Sequence, residues 1–118
     1  MDVRTSSLAA ALIRQGWETA HSITAHLDGH SDATPNPDQE AAPYDKYIPI
    51  NQQRIKRIRK SLAKQGLSPA LLAAVRRVKA GTKMLVLNEF WCGDGAQILP
   101  VHEAMEFISE GKLEVRAL

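Results

Sequence analysis

The feature that most restricts what this chain can become is a change of hydrophobic period near its end. Met84-Leu85-Val86-Leu87 is a short continuous apolar run, the pattern of a strand covered on both faces in a parallel sheet. Gly93 and Gly95 then mark a turn, and Ile98, Val101, Met105 and Ile108 recur at helical spacing up to a stop at Gly111. After it, Leu113, Val115 and Ala117 alternate with Lys112, Glu114 and Arg116. The spacing predicts a strand over 83–88, a helix over 95–110 and a strand over 112–118. Strand, helix and strand within about 36 residues is the length of a right-handed parallel crossover. The expected class is therefore α/β, with N-terminal helices leading into a βαβ unit of parallel strands.

Upstream, the pattern is helical. Leu8, Leu12, Ile13, Trp17, Ala20, Ile23 and Leu27 share one helical face, with Ser6 or Ser7 as the cap, which predicts an N-terminal helix over residues 1–27. Gly16 weakens that helix by about 1 kcal/mol relative to alanine. Residues 28–50 carry Gly29, Pro35, Pro37, Pro43 and Pro49 among polar residues and read as an exposed linker. Residues 51–118 form the remaining unit, opening with two helices. The first follows Asn51 as its cap and runs to Gln65, with Ile55, Ile58 and Leu62 as a narrow apolar stripe. The second has Ser68 as cap, Pro69 as first helical residue, Leu72, Val75 and Val78 as its buried face and Gly81 as its stop. No internal repeat or low-complexity tract interrupts this order.

Composition narrows the class further. A chain of 118 residues has room for one small domain. Its 44% apolar and 24% charged residues are those of a globular protein. The longest uncharged apolar stretch, Ser6 to Ile13, is far short of the roughly 20 residues that a bilayer crossing needs. The same stretch lacks the basic start and cleavage site of a signal peptide, so the expectation is a cytoplasmic protein with no membrane partner. A single cysteine, Cys92, excludes an internal disulfide. Net charge is uneven: residues 1–50 hold three basic and seven acidic side chains, and residues 51–118 hold twelve and six.

The chemistry concentrates in Asn88-Glu89-Phe90-Trp91-Cys92-Gly93-Asp94-Gly95, between the apolar run and the following helix. Unpaired amides and the helix dipole favour negative charge at that end, and a thiolate is the competent nucleophile. Cys92 is therefore the candidate catalytic nucleophile, and Trp91, Gly93 and Asp94 are the candidate substrate groove. The bland alternatives stay open. Cys92 can be a small buried hydrophobe, Trp91 simply packed, and Asp94 an N-terminal capping box with Gln97. As a carboxylate beside the thiol, Asp94 would also blunt its reactivity. Pro100 should kink the helix. Glu89 is a candidate proton acceptor, whereas His102, nearly three helical turns on, is not.

These residues resemble the thioredoxin superfamily. The strand, the Trp91-Cys92-Gly93 start of the turn and Pro100, eight positions after the cysteine, match that fold's first strand and active-site helix. The likeness is closer to bacterial thioredoxin-like proteins with a Trp-Cys-Gly-Asp turn followed by Ala-Gln-x-Leu-Pro, here Ala96-Gln97-Ile98-Leu99-Pro100. Those proteins also carry a helical extension similar to Tyr44–Lys79, with its run Asn51-Gln52-Gln53-Arg54-Ile55-Lys56-Arg57. The resemblance spans roughly 44–118 and departs from the pattern twice. Gly95 stands where the second cysteine of Cys-x-x-Cys belongs, and the chain ends before the later strands and helix. It implies the N-terminal, truncated portion of the fold, redox in character.

The expected function is that of a monothiol thiol–disulfide oxidoreductase of reduced or no activity, with a protein disulfide or a low-molecular-weight thiol as partner. The alternative is a non-catalytic thioredoxin-like fragment acting in protein–protein association, including self-association through exposed strand edges. Arg54, Lys56, Arg57, Arg59, Lys60 and Lys64 give a basic helix that could meet phosphates. It lacks interleaved aromatics and reads better as a solvated face, against which the acidic first half can lie. Nucleic acid is thus not expected as a partner. His21, His26 and His30 do not read as a metal site, because Gly29 and the linker interrupt a continuous helix there. No metal or other cofactor is implied.

Overall fold

The structure is a computed structural model that describes residues 3–31 and 43–118, the side chains of 3–6 and 31 excepted. Its helices are α1 (Val3–Thr19), α2 (Ile23–Ser31), α3 (Ile48–Gln65), α4 (Pro69–Arg76) and α5 (Gly93–Ile108). Its strands are β1 (His21–Ser22), β2 (Thr82–Val86) and β3 (Leu113–Ala117), in the order β1-β3-β2. β2 and β3 run parallel, with Thr82 opposite Leu113 and Val86 opposite Ala117. The α/β class with a parallel crossover is the one the sequence pattern led to.

Alternation along the strands divides the sheet into two faces. Met84, Val86, Leu113 and Val115 point into a core completed by Ile23 and Leu27 of α2, Ile55 of α3, and Ala96 and Leu99 of α5. Lys83, Leu85 and Arg116 point the other way, toward α1. There the helix backbone comes close: a β-carbon at Gly16 would meet Leu85 and Leu118 at 3.3 Å. Trp17 sits beside it, with the Arg116 guanidinium 4.3 Å from its ring centre and donating to its carbonyl at 2.9 Å. β2 is therefore not sealed on both faces. Met84, Leu85 and Val86 are half-buried, and Leu87 is 78% exposed beyond the strand end.

Several boundaries differ from expectation for identifiable reasons. The helix expected through Leu27 breaks after Thr19. His21 and Ser22 pair antiparallel with Ala117 and Arg116, and the Ser22 hydroxyl then caps α2 by accepting from Ala25 N at 3.1 Å. Ser6 and Ser7 lie inside α1 rather than at its start. α2 runs on through Gly29, so His26 and His30 do share one helix. Of the expected linker, residues 32–42 lie outside the described residues, 28–31 are helical, and α3 begins at Ile48 with Pro49 in its first turn. Asn51 is consequently not a cap but a fully buried residue within α3. On α5 the inward positions are Ala96, Leu99 and Pro100, whereas Ile98 is half exposed. The helix is apolar around much of its girth, so period alone did not single out its inner face.

The basic helix α3 turns part of its charge inward. Arg59 donates to both carboxylate oxygens of Glu103 on α5, at 2.9 and 2.7 Å, and to Asp28 on α2 at 2.8 Å. Burial works against that charge, and the bonds to Glu103 and then Asp28 outweigh it, so the guanidinium is held protonated more firmly than usual. One cation thus ties three helices together. Among the described residues no helix is long and apolar enough to cross a membrane.

Candidate functional site

The turn that presents Cys92 is fixed by backbone and side chain together. Parallel pairing continues past β2: Leu118 N donates to Val86 O at 2.9 Å and Asn88 N to Leu118 O at 3.2 Å. Next, the buried Asn51 amide donates to Phe90 O at 3.1 Å, which pins the turn to α3. The Phe90 ring packs against His26 and His30 of α2, with centroids 5.2 and 4.6 Å apart. Cys92 N then donates to Glu89 O at 3.0 Å, and Ala96 N to Cys92 O at 3.1 Å, the first bond of α5.

Cys92 is the N-cap of α5. Its backbone is extended, its side chain is partly exposed, and Sγ accepts from Gly95 N at 3.4 Å. An N–H from the first helical turn thus points at the sulfur. The capping box expected of Asp94 and Gln97 does not form, because the sulfur already holds the cap and Asp94 sits inside the first turn. Cys92, Trp91, Gly93 and Asp94, the four residues singled out in sequence, line one open cavity of about 380 Å³ with Tyr44, Tyr47 and Arg54. Trp91 packs at 4.9 Å from the Tyr44 ring. Another groove, of about 530 Å³, lies between α3 and α5 and is largely apolar. Its charged residues include the paired Arg59 and Glu103, and it contains no cysteine.

Position 95, where the resemblance would put a second cysteine, has no room for a side chain. A β-carbon at Gly95 would overlap Asn88 Oδ1. Asn88 is held in turn by His26, whose Nε2 lies 2.9 Å from Asn88 Nδ2; the amide donates and the neutral ring accepts. Asn88, His26, Asn51, Arg54, Tyr44 and Tyr47 were not among the sequence candidates. Gly95 was a usable signal, since a bare position beside a cysteine invites the question of what approaches it. Nothing in the sequence connects it to His26, 62 residues before Asn88. Among the described residues no group of three histidine, cysteine or acidic side chains is placed to hold a metal ion. Instead, His26 and His30 are buried against Phe90.

Burial lowers the pKa of His26 below the ordinary histidine value, and the nearby His30 and then His21 lower it further. The unfolded chain takes up its proton near the ordinary value of 6.5, whereas the folded state resists doing so and would lose the Asn88 bond. Protonation therefore favours unfolding, and stability falls as pH drops below about 6.5. His102, lowered by burial as well, adds to the same slope. Thermal unfolding across a pH series is expected to give a Tm that is level near neutrality and declines on acidification. His26→Gln should flatten that decline, and an unchanged slope would refute the assignment.

A parallel βαβ unit that places a cysteine at the N-cap of its helix defines an α/β protein of the thiol-bearing kind. A family model described as thioredoxin matches residues 38–118, and the chain belongs to that family. No curated protein and no solved structure matches it.

Proposed function

We propose that this protein is a monothiol thiol–disulfide oxidoreductase in which Cys92 is the nucleophile and Trp91, Gly93 and Asp94 form its substrate groove. The observation that carries the reading is the Cys92 sulfur at the N-cap of α5, facing the Gly95 amide and opening on a cavity. As thiolate, Cys92 attacks one sulfur of a disulfide R–S–S–R′. A Cys92–S–S–R bond forms, the old S–S bond breaks, and R′–S⁻ leaves and takes a proton from solvent. With glycine at 95 the chain has no resolving thiol of its own. A second small thiolate must attack the R sulfur, returning Cys92–S⁻ and carrying away R in a new disulfide. The outside thiol is oxidised as the substrate is reduced.

The test is reduction of bis(2-hydroxyethyl) disulfide by glutathione. The protein is expected to accelerate it, and Cys92→Ser to bring the rate down to that of the blank, with a mixed disulfide on Cys92 seen by mass spectrometry in the unmutated chain alone. A rate no faster than the blank would overturn the reading. A second reading, association without catalysis, is favoured by apolar side chains left in solvent: Leu8, Leu12 and Ile13 on α1, and Phe107 on α5, 85% exposed. Sedimentation tests self-association, the form of this reading open to the chain alone, and a monomer at high concentration removes it.

A further inference from the structure

Arg54 enters the cysteine cavity from α3, outside the crossover unit that carries Cys92. Its Nη1 donates to Asn51 Oδ1 at 3.0 Å, and Asn51 is itself fixed to Phe90 O, so the guanidinium is tethered to the turn it faces. Among the described residues it has no carboxylate partner; the ion pairs are made by Arg59 and Arg116. It lies close over the start of α5, because Gly93 has no side chain: a β-carbon there would come within 3.1 Å of Nη1. The half-buried cation and the positive end of α5 thus face one cavity from two sides, walled by Tyr44, Tyr47 and Trp91. Asp94 is the opposing charge in that cavity, but it is exposed and solvent screens it more than Arg54.

We propose that Arg54 is a specificity-determining residue that makes Cys92 prefer small disulfides and electrophiles bearing a carboxylate over neutral or cationic ones, an inference that rests on Cys92 being the reactive thiol of the function proposed above. The carboxylate docks on the unpaired guanidinium, an arrangement favoured by charge-assisted hydrogen bonds, and its reacting atom is brought to Sγ. The selecting group comes from the helical segment that precedes the strand–helix–strand unit.

Two reagents isolate the charge effect. Iodoacetate and iodoacetamide both form one S–C bond with the Cys92 thiolate and release iodide, and they differ in that the first is an anion. The ratio of their rates cancels the fraction of thiol that is ionised. Arg54→Gln is expected to lower the iodoacetate-to-iodoacetamide ratio by roughly three- to tenfold, while Arg54→Lys keeps most of it and Asp94→Asn raises it. High salt should erase the difference between the unmutated chain and Arg54→Gln. A ratio unmoved by Arg54→Gln, in a variant whose circular dichroism matches the parent, would overturn the proposal. Glutathione disulfide, net anionic, and cystamine, cationic, provide the exchange arm, read as mixed disulfide formed on Cys92; their rate ratio should fall in the same variant. Charge-selective alkylation with no disulfide exchange would sink the oxidoreductase reading and leave Arg54 its role. Exchange indifferent to Arg54 would do the reverse, and failure of both alkylating reagents to reach Cys92 would end both.

Discussion

Gly95→Ala is expected to destabilise the protein by about 1–3 kcal/mol, and Asn88→Ala in the same chain to recover most of that loss. The sign is the informative part. Gly95 lies in the first turn of α5 and is not among the glycines with positive φ, so its backbone would accept alanine, which on propensity alone gains about 0.5–1 kcal/mol. The opposing effect is steric. The new methyl lands on Asn88 Oδ1, and Asn88 cannot swing away without giving up His26. Denaturant unfolding of the two single variants and the double variant closes the cycle. Additive effects, or a stabilising Gly95→Ala, would show that Asn88 does not hold that space. Gly95→Cys meets the same obstacle, so a Cys-x-x-Cys pair would fit here only with Asn88 changed as well.

Leu27→Ala should cost about 2–5 kcal/mol, the largest effect of any substitution considered. Leu27 is fully buried in the cluster that also holds Ile23, Leu99 and Val115, and its loss leaves a cavity at the junction of α2 with the sheet. Yet it lies outside the residues matched by the family model, which begin at 38. The expectation is a lower midpoint in urea with an unchanged slope. A cost below about 1 kcal/mol would mean that α2 is an accessory to the fold and not part of its core.

Local signals explain what was legible in the sequence. The alternation of Leu113, Val115 and Ala117, the punctuation of α4 by Ser68 and Pro69, and the passage from β2 into α5 through Cys92 each depend on residues a few positions apart. Pairings across long separations were not legible. β1 is two residues long and exists because His21 and Ser22 meet Arg116 and Ala117, so no periodicity announced it. Asn51 reads as a cap in sequence because asparagine favours that position, but burial and a carbonyl 39 residues away gave it another task. The candidate site was half visible for the same reason. Its thiol, tryptophan, glycine and aspartate are contiguous, whereas the guanidinium, the asparagine–histidine pair and the tyrosines arrive from other elements.

The way α1 is fastened has its own consequence. Gly16 and Trp17 hold it to the sheet, with Lys83 and Arg116 over one indole, while Leu8, Leu12 and Ile13 remain in water. A helix attached at one end by a ring and two cations can lift off as a unit at a free energy well below that of global unfolding. Such an opening would bare the outer side of the strands and leave the sulfur's surroundings as they are.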